Sequence, residues 1–478
     1  MFFRMVYDDK LAQAAYVIGC QKTGEAIVID PERDVDRYEA LAAANGLRLT
    51  AAAETHIHAD FLSGSRELAE KGAAVYLSDE GGPEWTYQWP GLKPANPSLA
   101  AYRVHLLKHN TVFRVGNIEF KAVHTPGHTP EHLAFMVTDR GGGADEPLGV
   151  ATGDFVFVGD VGRPDLLESA AGFAGQAAPS ARRLYESVRQ FQQWPDYLQL
   201  WPGHGAGSAC GKALGAVPQS TVGYEKRFNA AVKAAASEQT FVDEVLAGQP
   251  EPPLYFSRMK RDNKAGPKVL GAMPRSRGMT PHDLRALDPR AAAIIDTRPW
   301  EEYRAGHTPG TLSFPLTKSF NTDAGSMIRE DEPIYLIIDH ARLDEAVRDL
   351  VRVGLDRIEG WFDAGRMQDR QRFGGSVQTT PELSAAEARR WVGTGEPFVL
   401  DVRRAAEYAE GHLDHAKNIA HTRLLSRLSE VPKDRPVLVH CRSGARSARA
   451  TALLLRHGFN ATNMAGGYLA WEAAGAAH

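Results

Sequence analysis

The sequence predicts an α/β protein of three folded parts: a large N-terminal sandwich of strands and helices, then two small α/β domains with parallel sheets. Three observations predict it. Four apolar, strand-like runs in the first half each end in a loop carrying histidine or aspartate. The second half holds an internal repeat in which strands alternate with helical stretches. At 478 residues, the chain exceeds what one ordinary core can organise.

Composition narrows the function classes. With 43% hydrophobic and 24% charged residues and a net charge of -4, the chain offers nothing to nucleic acid or an anionic membrane. Cys20, Cys210 and Cys441 are far apart and odd in number, so free thiols are expected rather than a disulfide framework. The first residues carry no apolar signal core and no run is long enough to cross a bilayer. A cytoplasmic location follows as the expectation, with homo-oligomerisation left open.

Taken in order, residues 1–45 alternate strand-like runs, Ala14 to Gly19 and Glu25 to Ile29, before a helix from Asp34 to Asn45 that Gly46 stops. Cys20, in the first hairpin, fits a small buried apolar residue. The apolar run Leu47 to Ala53 opens into Glu54-Thr55-His56-Ile57-His58-Ala59-Asp60-Phe61. Imidazole and carboxylate spaced two apart on a loop can converge on one point, and together they suit a borderline divalent ion such as zinc or iron. Ser65 to Lys71 reads as a helix, and Arg114 to Val123 as a hairpin arm that delivers His124-Thr125-Pro126-Gly127-His128. Ala151-Thr152-Gly153-Asp154 leads into a buried-looking strand, Phe155 to Val158, and then Gly162-Arg163-Pro164-Asp165. Leu200-Trp201-Pro202-Gly203-His204 enters a glycine-rich loop holding Cys210, six residues from His204. Glu225 to Gln249 is helical in pattern, the domain closes at 260, and the basic stretch 261–277 reads as a linker.

The order His-x-His-x-Asp, Pro-Gly-His-Thr, Thr-Gly-Asp, Pro-Gly-His resembles the metallo-β-lactamase superfamily, which implies a four-layer αβ/βα sandwich for residues 1–260. Hydrolases of that superfamily, glyoxalase II among them, usually carry histidine after the motif aspartate as a second-zinc ligand. This chain has Phe61 there, which leaves Asp60 and His204 a poor second site and favours one metal. The region is similar to the persulfide dioxygenases, a likeness that implies one Fe(2+) held by His56, His128 and Asp154. Two imidazoles and a carboxylate leave coordination positions open for substrate and O2. By the same likeness, His58, Asp60 and His204 orient the ligands through hydrogen bonds. Arg163 is expected to hold the ligand sphere or an anionic persulfide, against the plainer alternative of a surface pair with Asp165. Cys210 either lines the substrate mouth and exchanges sulfur or is an inert packed thiol.

In the second half, Ala293-Ile294-Ile295-Asp296-Thr297-Arg298 with Glu302 to His307 recurs as Phe398-Val399-Leu400-Asp401-Val402-Arg403 with Glu407 to His412. These signatures resemble rhodanese domains, at 278–372 and 378–478. In the second copy, Cys441-Arg442-Ser443-Gly444-Ala445-Arg446-Ser447 lies between a strand and a helix. Backbone N–H groups, the helix dipole, Arg442 and Arg446 all favour a thiolate nucleophile there. A cysteine-based phosphatase would need arginine one place later, where Ser447 stands, so sulfur transfer fits better. In the first copy Asp339 replaces the cysteine, and a carboxylate cannot carry sulfane sulfur; that domain reads as catalytically silent.

Nearly the whole chain resembles bacterial persulfide dioxygenase–pseudorhodanese–rhodanese fusion proteins. The resemblance implies oxidation of a low-molecular-weight persulfide, such as glutathione persulfide, to sulfite and thiol, coupled to sulfur transfer through Cys441 that makes or consumes thiosulfate. Two alternatives stand beside it: a glyoxalase II-like zinc thioester hydrolase fused to a sulfurtransferase, and a non-catalytic sulfur carrier.

Overall fold

The structure, a computed structural model, describes residues 1–169, 175–367 and 376–475. The expected domain boundary at residue 372 and the last three residues lie outside these. The chain divides into two compact units, Met1–Ala272 with Val351–Gly354, and Met273–Leu350 with Leu355–His478.

The first unit is built on two six-stranded sheets. One runs in chain order through Phe2–Asp8, Gln13–Cys20, Glu25–Ile29, Arg48–Ala53, Ala74–Ser78 and Arg103–Leu107. The other runs Ser220–Thr221, Gln199–Pro202, Gly149–Gly153, Leu133–Asp139, Ile118–His124 and Val112–Val115. Every residue of Gln13–Cys20 is buried. Such a continuous apolar run is what a strand covered on both faces requires. Between the sheets pack Ile18, Ile27, Phe120, Phe135 and Trp201. On the outer faces, Tyr38 and Ala42 of the helix Asp36–Ala44 and Leu184, Val188 and Phe191 of the helix Ala177–Phe191 close two further layers. Each large apolar side chain so buried contributes about 1.5–3 kcal/mol. The αβ/βα layering is the one the sequence predicts.

The same packing brings the strand ends to one edge. Backbone hydrogen bonds join Leu133 N to Thr55 O (2.7 Å), Gly203 N to Gly153 O (2.8 Å) and Ala14 N to Gly203 O (2.8 Å), tying the four motif segments together in two pairs.

Local differences from the sequence reading have local causes. The stretch 225–249 forms separate helices, Val222–Phe228, Ala230–Ala234 and Glu238–Leu246. Side chains of Asn229 and Ser237 cap the later two by accepting from Val232 N and Thr240 N. Residues 155–158 are no strand: Phe157 N bonds Asp160 O at 3.0 Å, and a single bridge pairs Val156 with Val161, so the buried run is a tight turn. The expected linker begins too early, because 261–265 complete the helix Phe256–Ala265, whose Phe256, Met259 and Asn263 are buried.

The second unit contains two five-stranded parallel sheets of identical order. The first is Arg277–Gly278, Ile358–Asp363, Ile334–Ile338, Ala293–Asp296 and Leu312–Ser313; the second is Glu382–Leu383, Ala461–Met464, Val437–His440, Phe398–Asp401 and Lys417–Asn418. The repeat signature is structural. Arg298 forks onto Asp296 and donates to Gly306 O (2.9 Å), as Arg403 does onto Asp401 and Gly411 O (2.7 Å). Tyr303 and Tyr408 hydroxyls donate to Thr311 O and Ala416 O, both at 2.7 Å, and stack on His307 and His412. Among the described residues no helix is long and apolar enough to cross a membrane.

Candidate metal centre and sulfur-transfer loop

At the loop edge of the first unit, ligand atoms of His56, His128 and Asp154 lie within 4.8 Å of one another, all buried. His128 Nε2 stands 3.5 Å and His56 Nε2 3.9 Å from Asp154 Oδ2, while His204 Nε2 stands 3.4 Å from Oδ1. Each imidazole is oriented through its other nitrogen. His128 Nδ1 donates to Arg163 O (3.0 Å) and His204 Nδ1 to Ala12 O (3.1 Å). His56 Nδ1 donates to Thr55 Oγ1 (2.9 Å), whose own proton goes to Asp30 Oδ2 (2.8 Å). These bonds fix the tautomer that leaves the Nε2 lone pairs aimed at one point, the arrangement that metal-binding histidines use.

Electrostatics agree. Burial, reinforced by the neighbouring imidazoles, holds His56 and His128 well below the usual histidine range, so both are neutral donors. Burial pushes Asp154 and Asp60 up to about 6. The Cys210 thiol is the one side-chain donor beside the Asp154 carboxylate among the described residues. A buried carboxylate facing imidazole lone pairs fits a bound cation.

Of the other expected site residues, His58 is turned away from that point. Its Nε2 lies 3.1 Å from Glu54 Oε2 and 3.2 Å from Asp30 Oδ1. Burial alone would lower its pKa, but these two carboxylates outweigh burial and hold it well above the usual range. Asp60 Oδ2 faces His204 Nε2 at 3.3 Å, and Cys210 joins them as a second buried donor group of aspartate, histidine and cysteine. Sequence spacing had left Asp60 and His204 without a third donor; the fold supplies a thiol. Burial and the Asp60 and Asp154 carboxylates push that thiol well above its usual range. Arg163 is buried rather than on the surface. Its guanidinium is taken up by Asp165 (2.7 and 3.0 Å) and by Ala209 O (2.9 Å), while its backbone carbonyl orients His128. Phe61 is fully buried, its ring 4.4 Å from that of His58.

Three residues escaped the sequence reading. His132, four places after His128, accepts from Asp154 N at Nε2 (3.1 Å) and meets Thr125 Oγ1 through Nδ1 (2.8 Å); burial lowers its pKa to about 3. Asp30, at φ 51°, braces Thr55 and His58. Asn263 clamps the metal loop by donating to His58 O (2.9 Å) and Phe61 O (2.7 Å) and accepting from Ser63 N (2.8 Å). The His128–His132 spacing was a legible signal; Asn263, some 200 residues downstream, was not.

In the second unit, Cys441 ends the strand Val437–His440 and is buried. Gly444 N donates to its sulfur at 3.1 Å and Ser447 Oγ at 3.5 Å, and the helix Ala445–Arg456 starts behind them. Arg446 forks onto Glu407 (2.6 and 2.7 Å), which holds that carboxyl down at about 2. Arg442 lines a recess beside the loop with Glu407 and Tyr468. In the first repeat the matching loop is a short turn, Asp339 accepting from Ala341 N at 3.0 Å, with no nucleophile.

Residues 8–204 match the metallo-beta-lactamase superfamily, and residues 384–474 match the rhodanese-like domain. A solved metallo-beta-lactamase from Staphylococcus aureus is 41% identical, covering 76% of this chain and 98% of that one with a TM-score of 0.66. A sulfurtransferase from Allochromatium vinosum is 38% identical over 89 residues, 18% of this chain and 83% of that protein. A beta-lactamase hydrolase-like protein from Xylella fastidiosa is 29% identical over 257 residues, 49% of this chain and 53% of its own length. The chain thus spans about half the length of that curated relative. Layering, edge loops and donor set define an αβ/βα sandwich with a candidate metal centre. The chain belongs to the metallo-β-lactamase superfamily and carries a C-terminal rhodanese-like domain.

Proposed function

We propose that the first unit is an Fe(2+)-dependent persulfide dioxygenase and that Cys441 is the nucleophile of a sulfurtransferase using the sulfite it makes. The observation that carries the first part is the buried His56–His128–Asp154 group, two imidazoles and a carboxylate, in a chain whose Phe61 puts an apolar ring at the sequence position where the hydrolases it resembles carry a further ligand. Iron bound there supplies the redox chemistry with O2 that no side chain can. The chain's residues do the rest. Hydrogen bonds from the Nδ1 atoms hold the imidazoles in the donor tautomer, and His132 pins the backbone of Asp154. Phe61, with its ring 4.4 Å from that of His58, and Phe157, 6.1 Å from that of His204, are fully buried and set apolar surface against these histidines. Cys210 contributes a buried thiol beside Asp60 and His204. The balance is RSSH + O2 + H2O → RSH + SO3²⁻ + 2H⁺.

In the second unit, Cys441 takes the outer sulfur of a second persulfide and passes it to sulfite. The new sulfur–sulfur bond of thiosulfate forms as the one to Cys441 breaks, its electron pair returning to the cysteine. Gly444 N–H and the start of the following helix stabilise the sulfur anion. The same residues run the reverse, from thiosulfate to a thiol.

The Asp60–His204–Cys210 group favours a second reading, a two-metal zinc hydrolase of thioesters. One experiment separates the two: anaerobic purification with metal analysis, then oxygen uptake with glutathione persulfide and chromatography of sulfite and thiosulfate. One iron per chain and oxygen consumed in step with sulfite support the dioxygenase. Two zinc ions and thioester cleavage without oxygen overturn it.

A further inference from the structure

Between the two rhodanese-like repeats, within the second unit, lies a cavity of about 550 Å³, inside the range that small-molecule sites occupy. Ser443, Gly444 and Ala445 of the cysteine loop form one wall. Gly444 N bonds the Cys441 sulfur at 3.1 Å, so one lining residue is in direct contact with the nucleophile. The facing wall comes from the other repeat and includes Trp300 and Arg342.

Each part of that facing wall is placed rather than incidental. Trp300 Nε1 donates to Glu382 Oε2 (2.7 Å), which also accepts from Asn463 Nδ2 (2.7 Å), so residues of the active repeat fix the indole of the silent one. Arg342 sits in the turn that replaces the catalytic loop and donates to Leu316 O at 3.0 Å. Its other partner is Glu345, in an ion pair whose arginine side chain stays 47% exposed; such a pair holds weakly and yields to a ligand anion. The second arginine of the cavity, Arg449, is already committed to Asp323 (2.5 Å) and Ser319 Oγ (3.1 Å). Ser313 Oγ and Asn463 Oδ1, in residues 1% exposed, have no hydrogen-bond partner among the described residues, and both residues line the cavity. The wall also holds the carboxylates of Glu301 and Glu382, and the unpartnered Asn463 Oδ1 is an acceptor, so beside Trp300 and Arg342 these atoms describe a site for a polar small molecule that carries both a carboxylate and hydrogen-bond donors.

We propose that this cavity binds the organic half of a carboxylate-bearing low-molecular-weight thiol that exchanges sulfur with Cys441, and that the silent repeat selects it through Trp300 and Arg342. The inference rests on the sulfurtransferase reading of Cys441. In the exchange, thiolate RS⁻ attacks the outer sulfur of the Cys441 persulfide, giving RSSH. The sulfur–sulfur bond to Cys441 breaks, its electron pair returns to the cysteine, and no outside oxidant is needed. The short turn that stands in the first repeat where the second has its cysteine loop carries the arginine that serves the neighbouring site.

The test uses full-length protein with thiosulfate as donor and either glutathione, which carries carboxylates, or cyanide, which needs no pocket, as acceptor. The readout is the ratio of kcat/KM for glutathione to kcat/KM for cyanide. In Arg342→Ala and in Trp300→Ala that ratio falls about tenfold, the effect of one charge-assisted contact or one stacked ring, and Arg342→Lys recovers part of it. A ratio within about twofold of wild type in both variants, with cyanide turnover intact, overturns the pocket. Failure of the wild type to release sulfite from thiosulfate with either acceptor overturns the sulfurtransferase reading itself, and the pocket with it.

Discussion

Gly467 packs directly against the backbone of the cysteine loop, so replacing it with alanine tests how that loop is held. Its φ is +57°, and an added Cβ would sit 2.4 Å from Cys441 O and 2.7 Å from Arg442 C. Both are backbone atoms of residues whose carbonyls accept from the segment that follows Gly467, Cys441 O from Tyr468 N (2.7 Å) and Arg442 O from Leu469 N (3.0 Å). The left-handed conformation costs a non-glycine residue about 1 kcal/mol. Overpacking against a backbone that can yield only by moving adds about 1–3 kcal/mol. A loss of about 2–4 kcal/mol lowers the transition of a unit this size by roughly 5–15 °C. The displaced loop pulls the sulfur off the Gly444 amide, and a misplacement of about 1 Å costs on the order of a hundredfold in rate. Gly458→Ala is the control: its φ is +79° but nothing lies within 4 Å of the added Cβ, so it carries the strain alone, about 1 kcal/mol, and leaves sulfur transfer intact. The assay is thermal unfolding alongside sulfite release from thiosulfate with cyanide as acceptor. Were Gly467→Ala to melt and turn over like Gly458→Ala, the close approach of Gly467 to the loop would not be what positions the sulfur.

Three further outcomes follow from the geometry. His132→Ala removes the acceptor for Asp154 N and weakens Fe(2+) binding about 10–100-fold, read by competition with a chromogenic chelator; unchanged affinity would show that Asp154 needs no such brace. Cys441→Ser abolishes thiosulfate formation while oxygen uptake with glutathione persulfide continues and sulfite accumulates; parallel loss of both activities would contradict two separate sites. Glu407, held down to about 2 from an ordinary 4.5 by Arg446, stabilises the fold fully above pH 4.5, and that contribution disappears as pH falls through about 2. Glu407→Gln therefore costs about 1 kcal/mol at neutral pH, after allowance for solvent screening, and the gap in urea denaturation closes toward pH 2; a gap that widens in acid would refute the assignment.

Much of this protein is written in local pattern. Continuous apolar runs such as Ala51–Ala53 and Ile27–Ile29 need cover on both faces, which selects a layered α/β fold. His56, His128 and Asp154 stand at strand ends because their neighbours are strand-formers, and the two mixed sheets, in which Ile118–His124 pairs only antiparallel, carry those ends to one edge. The doubled Asp-x-Arg and Glu-Tyr-x-x-Gly-His signatures disclose the repeat, since each arginine forks onto an aspartate two residues away.

What local pattern cannot specify is which distant groups meet. Cys210 reaches Asp60, and Asn263 reaches the loop at His58, because chain separated by some 150–200 residues is folded onto one edge; nothing in either segment's own periodicity encodes the partner. For Arg163 the pairing with Asp165 was one of the two directions its motif offered; packing decided that the pair is made by a buried arginine, with Ala209 O as a further acceptor, rather than at the surface. The cavity facing the cysteine loop exists only once two repeats pack together, each contributing a wall that neither sequence reveals alone. The sequence determined the elements, the repeat and the donor types, which follow from neighbours along the chain; tertiary packing decided the partners, because burial satisfies polar groups with whatever the fold brings within reach.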